Sequence, residues 1–464
     1  MTERPPAAIP VLRDYQREAG RAIIDSVRQP RGDSITIEVA RQGGKNELSA
    51  QVELTLLVLA AARGLEAVKC APTLRPQLQI SIRRLWRCVT AWRLGADARI
   101  HDAEIAIGGS RIHFLSAERN ANVVGHTASL LLEADEAQDI DIDKFDREFR
   151  PMAAASNATT VYYGTAWDDR GLLERAKQAN LEAGRRDGRR RHFEYDWQRI
   201  ARCNPAYGAF VERERLRLGE THPLFLTQYC LKPIAGGGRL FSAAQRAQLE
   251  GNHDRRHAPA SGETYVAGLD LAGGDDDADA GARATPGRDA TVLTIGRLAY
   301  PEAGALVAEP RVEIVEHYAW TGEPHELLLP RLADLLRDVW RTAAVAVDAT
   351  GIGETAARLL AASLRSARVD ALKFSAESKS RLGFALIAAV NGGRLKMYAG
   401  DGSPEQREFW LQAERARVAY RANRTMNFFV DPADGHDDYL VSAALLVHAS
   451  KDRQRRVATG RVRA

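Results

Sequence analysis

Apolar residues along this chain recur in short β-branched runs separated by longer helical stretches. ITIEVA (35–40), EAVKCA (66–71), ASLLLEAD (128–135) and TTVYYG (159–164) read as strands. NELSAQVELTLLVLAAARG, just after the first of them, and a stretch from about Pro76 to Leu94 read as helices. Such alternation predicts a parallel-rich sheet with helices on both faces. From Lys232 to Glu263, glycines, prolines and polar residues surround one short helical piece, which marks a domain boundary. Beyond it, TYVAGLDLA, DATVLTIG, VEIVEHYAW, AVAVDA and VDALKF predict a second set of strands. Helical segments intervene only after the third of these, so the first three predict an antiparallel meander within a mixed sheet. The expected organisation is residues 1–232, a linker 233–262, residues 263–450 and a basic tail 451–464.

The Gly/Asp-rich insert 273–289 reads as a hairpin tip, because the spacing and closing glutamate of a calcium loop are missing. A length of 464 residues exceeds one ordinary core and supports two domains. With 45% apolar and 27% charged residues, the composition is that of a globular chain and excludes a disordered one. The net charge is only +4, but GRRDGRRR (184–191) and KDRQRRVATGRVRA (451–464) concentrate positive charge. Both fit phosphate neutralisation, and both equally fit a solvated loop and tail. Cys70, Cys88, Cys203 and Cys230 lack the spacing of a zinc site or a disulfide framework. The N-terminus lacks the pattern of a signal peptide, and no apolar run reaches membrane-spanning length, so a cytoplasmic setting without membrane contact is expected.

Two phosphate chemistries emerge from the motifs. EVARQGGKNE (38–47) follows a strand and opens a helix, as a phosphate-binding loop does, with Gly44 and Lys45 at its central positions. Backbone N–H groups of such a loop cradle phosphates while the lysine neutralises them. Val39 replaces the usual first glycine, and Asn46 replaces the Ser or Thr that meets Mg²⁺. SLLLEADEA ends an apolar strand in Asp135, suited to hold Mg²⁺ through water, and Glu136, suited to polarise an attacking water. The same pair would also stabilise the start of a following helix. Glu133, inside that strand, requires a cationic partner, for which Arg41 is a candidate. LRDYQREA sets Tyr15 and Gln16 where an adenine would be stacked and read, and YYGTAW ends a strand at Gly164 and Thr165.

In the second half, Asp270 closes TYVAGLD, Asp348 closes AVAVD, and Asp437 with Asp438 opens the helix DDYLVSAALLVHA. If the two strands are neighbours and the helix crosses them, the carboxylates converge and need cations. Two Mg²⁺ or Mn²⁺ ions there would activate a water and stabilise the leaving oxygen of a phosphodiester. Each aspartate taken alone is equally a turn or helix cap. Asp289 is a candidate fourth acid, and His436 a cap or outer-sphere residue.

YQRE, ARQGGKNELSA, LLLEADEA, YYGTAW, GLDLA, VAVDATGIGE and GHDDYLVSAAL stand in the order found in one family. From Leu12 to Ser450 the chain resembles the large terminase subunit of tailed bacteriophages. The resemblance implies an α/β architecture: an N-terminal P-loop, RecA/helicase-like ATPase with a parallel-rich sheet, then a C-terminal ribonuclease H-like nuclease with a mixed sheet and helices. It implies that Gln16, Arg41, Gln42, Gly43, Gly44, Lys45 and Asn46 bind ATP, that Asp135 binds Mg²⁺, that Glu136 is catalytic and that Thr165 couples hydrolysis to DNA movement. Asp270, Asp348 and Asp438 would bind the nuclease metals, with Asp437 as the alternative to Asp438. Arg63 and Arg75 are candidate donors to a neighbouring subunit's site. The implied partners are double-stranded DNA, a portal protein, a small terminase subunit and about four further copies in a ring, in the host cytoplasm and transiently on the procapsid. Competing readings are a helicase fused to a nuclease, and a portal-docking protein whose nucleotide site is degenerate.

Overall fold

In the computed structural model, residues 10–451 are described, apart from 124, 235–236, 273–289, 303, 352 and 422. The insert 273–289, with Asp289, and tail residues 452–464 therefore lie outside the described residues. The chain divides into two units, Met1–Val211 with Pro223–Ala235, and Glu212–His222 with Gly236–Ala464.

The first unit is built on eight strands: β1 (Ser34–Val39), β2 (Glu66–Ala71), β3 (Ala98–His101), β4 (Glu104–Ile107), β5 (Ser110–Ser116), β6 (Leu131–Ala134), β7 (Thr159–Gly164) and β8 (His192–Tyr195). Their order is β3-β4-β5-β2-β6-β7-β1-β8. All pairings from β5 to β8 are parallel, and β3–β4–β5 is antiparallel. Strands buried on both faces read as nearly continuous apolar runs, which is why β1, β2, β6 and β7 were evident in the sequence. On one face Val68, Cys70, Leu132, Ala134 and Tyr162 pack with Phe145, Phe149, Leu172 and Leu173. The other face receives the helix Lys45–Ala60, itself buried along much of its length.

Two local outcomes differ from the sequence reading, and a third follows it. The helix expected from about Pro76 does begin there: Arg75 is extended (φ −118°, ψ 126°) ahead of the proline, and a π-helical turn then leads into the α-helix Gln79–Ala91. The short strands β3, β4 and β8, at the sheet margins, were too brief for a clear period. The segment expected as a linker packs into the second unit, where Leu240, Phe241 and Leu249 are core residues.

In the second unit, β9 (Gly237–Arg239) precedes β10 (Tyr265–Asp270), β11 (Ala290–Ala299), β12 (Arg311–Thr321), β13 (Ala344–Asp348), β14 (Arg368–Leu372), β15 (Leu395–Lys396), β16 (Arg417–Tyr420) and β17 (Met426–Phe429). The main sheet runs β14-β13-β10-β11-β12-β15, and β17-β16-β9 form a small separate sheet. β10–β11–β12 is the expected antiparallel meander, and β13 joins β10 in parallel. With β10 central, this is the strand arrangement of ribonuclease H. Side chains alternate between faces. Ala267, Leu269, Val345 and Val347 meet Leu328, Leu332 and Leu360 on one side. Val266, Ala344 and Ala346 share the other side with the helix Asp438–Ala449.

Candidate nucleotide and metal sites

The phosphate loop takes its shape from two glycines with different duties. Gly44 has φ +90°, a left-handed conformation that side chains resist, and it caps the helix Lys45–Ala60. A Cβ on Gly43 would stand 2.4 Å from Ile200 Cδ1, 2.5 Å from Val39 Cγ1 and 2.8 Å from the Ala40 carbonyl, so no larger residue fits. The loop thereby presents the first backbone N–H groups of a helix, a ready anion site. Arg41 and Gln42 are exposed on it and Asn46 is half-buried.

Lys45 reaches across to the end of β6. Its ammonium lies 2.9 Å from Asp135 Oδ1 and 2.7 Å from Glu136 Oε1. Burial alone would push the Lys45 pKa down, but the two carboxylates outweigh it and the pKa is raised. Burial likewise pushes Asp135 and Glu136 up, yet Lys45 draws both below the usual carboxylate range. The site thus contains its own counter-cation.

Glu136 sits at φ +51°, ψ +45°, and its carboxylate is aimed by a residue that the sequence reading missed. Gln138 Nε2 donates to Glu136 Oε2 at 2.7 Å, while Gln138 Oε1 accepts from the Thr165 N–H at 3.1 Å. Thr165 Oγ1 in turn donates to the Val39 carbonyl at the base of the phosphate loop, 3.1 Å. One amide therefore joins the catalytic candidate, β7 and the loop. Gly164 leaves room for it, since a Cβ there would meet Gln138 Oε1 at 2.2 Å.

Tyr15 and Gln16 hold positions different from those expected. The Tyr15 ring is fully buried and its hydroxyl donates to the Gly43 carbonyl at 2.6 Å, so it buttresses the loop and has no free face for a base. Gln16 Nε2 donates to the Gly44 carbonyl at 2.9 Å and Oε1 accepts from the Arg13 N–H at 2.8 Å. Arg41 does not neutralise Glu133. Lys69 on β2 is the cation beside it, 4.0 Å away and 2.7 Å from Glu53, and burial together with Glu53 still pushes the Glu133 carboxyl well above its ordinary range. A charge inside an otherwise apolar strand was the available signal at Lys69, as it was at Glu133. Arg63 and Arg75 are exposed.

Glu38, His192 and Glu194 also gather on β1 and β8, with ligand atoms within 4.8 Å of one another. Lys177 lies 2.7 Å from Glu38 and 3.1 Å from Glu194, so a side-chain cation already serves this group.

The second unit brings its four aspartates together by period and by close packing. Asp270 alternates with Val266 and Gly268, and Asp348 with Ala346, so both carboxylates lie on the face covered by the helix Asp438–Ala449. Leu269 pairs with Val347, which sets Asp270 and Asp348 at neighbouring strand ends. The helix approaches β10 so closely that a Cβ on Gly268 would lie 2.1 Å from the Ser442 carbonyl and 2.4 Å from Leu446 N. Ser442 Oγ donates to the Gly268 carbonyl at 3.0 Å and is 2.5 Å from Thr294 Oγ1. That fixes the helix start, with Asp437 and Asp438, above the strand ends. Asp438 Oδ2 accepts from Ala290 N–H at 2.9 Å, and Asp348 Oδ1 from Thr350 N–H at 2.9 Å.

Burial, followed by Asp438, Asp348 and Asp437, pushes the Asp270 carboxyl well above its ordinary range; Lys379 pulls the other way. Lys379 lies 3.7 Å from Asp437. His436 is half-buried beside this group. Oxygen-only donors in this number suit Mg²⁺ or Mn²⁺.

No sequence family and no curated protein matches the chain. Its fold, however, recurs in solved structures. It matches the large terminase from a thermophilic bacteriophage, in its crystal form 2, with a TM-score of 0.53 at 12% identity, over 95% of this chain and 99% of that one. Crystal form 3 of the same phage protein gives 0.51 at 12% identity, over 94% and 99%. That protein in complex with ADP gives 0.50 at 13% identity, again over 94% and 99%. The likeness read from the motifs thus extends to the fold, across both units. Among the described residues, no helix is long and apolar enough to cross a membrane.

Proposed function

We propose that this chain is a viral DNA-packaging motor subunit, with an ATPase in the first unit and a metal-dependent DNA endonuclease in the second. The observation that carries this reading is the pairing of two distinct phosphate sites in one terminase-like fold. Lys45 bridges Asp135 and Glu136 in one unit, and four aspartates converge in the other.

In the ATPase, the loop N–H groups of Gly44, Lys45 and Asn46 receive the phosphates, the Gly43 N–H being held by the Ala40 carbonyl at 2.8 Å, and Arg41 and Lys45 neutralise them. Asp135, which Lys45 occupies here at 2.9 Å, would hold a Mg²⁺ ion, and that ion would supply further neutralisation of the phosphates. Glu136, held by Gln138, orients the attacking water and takes its proton. Thr165 links that carboxylate to the loop and transmits the change on hydrolysis. Gln16 contributes by fixing Gly44, and reads adenine only after releasing it.

In the nuclease, Asp270, Asp348 and Asp438 would hold the metals, with Asp437 beside them. Mg²⁺ or Mn²⁺ there would supply an activated water and stabilisation of the leaving oxygen. The substrate is concatemeric double-stranded DNA. The portal protein, a small terminase subunit and sister copies in a ring complete the machine on the procapsid, in the host cytoplasm.

The test is cleavage of supercoiled plasmid with Mn²⁺ or Mg²⁺, with ATP turnover followed in the same samples. Cleavage lost in Asp270→Ala and Asp348→Ala, and turnover lost in Lys45→Ala and Glu136→Gln, is the expected pattern. Cleavage that persists in purified Asp270→Ala would remove the nuclease assignment. Unwinding of a forked duplex by the isolated chain would favour a helicase, and nucleotide binding without turnover on an assembled portal would favour a docking role.

A further inference from the structure

Beneath the nucleotide site lies a charged cluster for which the proposed chemistry has no use. Ser49 and Glu53 on the helix Lys45–Ala60, Lys69 on β2 and Glu133 on β6 are each 2% exposed or less. Lys69 Nζ donates to Ser49 Oγ at 2.5 Å and to Glu53 Oε1 at 2.7 Å, and stands 4.0 Å from Glu133 Oε2. Ser49 Oγ lies 2.6 Å from Glu53 Oε1 and 3.4 Å from Glu133 Oε1. Lys69 and Glu133 are register partners on adjacent strands, and the Lys69 ammonium lies 5.9 Å from the centre of the buried Tyr163 ring on β7.

As a fastening, this cluster is inefficient. Two carboxyl groups and an ammonium lose their water, and apolar side chains of equal volume would join helix to sheet at lower cost. What the ionic arrangement adds is a fixed separation between its members. Its ends are placed where that matters. Ser49 is one helical turn below Lys45. Glu133 is two residues before Asp135 and shares its face of the strand. The cluster thus spans the two elements whose tips carry Lys45 and Asp135, 2.9 Å apart.

We infer that Ser49, Glu53, Lys69 and Glu133 form a positioning strut that sets the Lys45-to-Asp135 separation, and with it the ability of a divalent cation to strengthen nucleotide binding. This rests on reading the upper site as a nucleotide site.

The measurement is the affinity of the full-length chain for a fluorescent ADP analogue, with Mg²⁺ and with EDTA, alongside thermal unfolding. The apolar variant E53L/K69M/E133L keeps a cooperative transition near that of the wild type. Its affinity in EDTA is unchanged, while the gain on adding Mg²⁺ shrinks by about tenfold. Ser49→Ala, a far smaller change, lowers the same gain about threefold and serves if the triple variant does not fold. A full Mg²⁺-linked gain in a folded triple variant, or in Ser49→Ala where the triple variant does not fold, overturns the strut. A wild type with no Mg²⁺-linked gain overturns the nucleotide-site reading itself, a result separate from either variant.

Discussion

The two acidic centres of this chain solve the problem of crowded carboxylates in opposite ways. Asp135 and Glu136 keep an ammonium between them and are drawn below the usual range. Asp270 faces three other aspartates, with Lys379 as its cationic neighbour, and is pushed well above it. The first centre is therefore electrostatically complete before any ligand arrives, whereas the second is in deficit. A built-in cation suits a site that exchanges one partner for another in every cycle; a deficit suits a site that holds metal ions.

The largest test of this contrast is functional independence. Asp270→Ala is expected to reduce metal-dependent DNA cleavage by about a thousandfold or more, equivalent to several kcal/mol, with ATP turnover unchanged. Lys45→Ala is expected to do the converse. Parallel nuclease and ATPase assays on both variants would expose any cross-effect, and loss of both activities in either one would dissolve the separation of the sites.

Next in size is a stability effect. Lys45→Ala removes the cation from the buried Asp135 and the half-buried Glu136, and breaking such an arrangement costs about 3 kcal/mol. Chemical denaturation in EDTA should report that loss in the first unit's transition. An unchanged transition would mean that Lys45 is not the counter-ion that its geometry suggests.

A smaller effect is expected at Gln138. Gln138→Ala removes its contacts to Glu136 Oε2 and to the Thr165 N–H together, leaving Lys45 at Oε1. Turnover should fall about tenfold with KM little changed, since the contact orients the catalytic group without touching the nucleotide. A rise in KM at constant kcat would instead assign Gln138 to nucleotide binding.

How much of this was legible in the sequence depends on how local the signal was. The buried strands β1, β2, β6, β7 and β10–β13 were readable, since a doubly covered strand leaves a continuous apolar trace; the edge strand β14, half-buried to exposed throughout, was read as well, without that trace. The convergence of Asp270, Asp348 and Asp438 was readable too, because each closes or opens an apolar element. What escaped depends on contacts between distant segments. Gln138 looks like any polar turn residue until Thr165 is beside it. Lys69 looks like a tolerated charge until Glu53 and Glu133 face it across the sheet. Tyr15 was misread for the same reason, its hydroxyl being committed to the Gly43 carbonyl 28 residues away.

The finest test compares signs. Asp270→Asn removes one charge from a group in deficit, so in EDTA it should stabilise the second unit, by about 1 kcal/mol, where Lys45→Ala destabilises the first. Added Mg²⁺ should reverse the order of wild type and variant. Ions that bind only the folded wild type raise its stability by mass action, and a site short of one carboxylate gains less. Thermal unfolding of both proteins across a Mg²⁺ titration would reveal the crossing. If Asp270→Asn is instead the less stable protein in EDTA, the donors already on the acids, Ala290 N–H at Asp438 and Thr350 N–H at Asp348, suffice to hold them. The second centre would then be as complete as the first, and its demand for metal would have to come from the substrate.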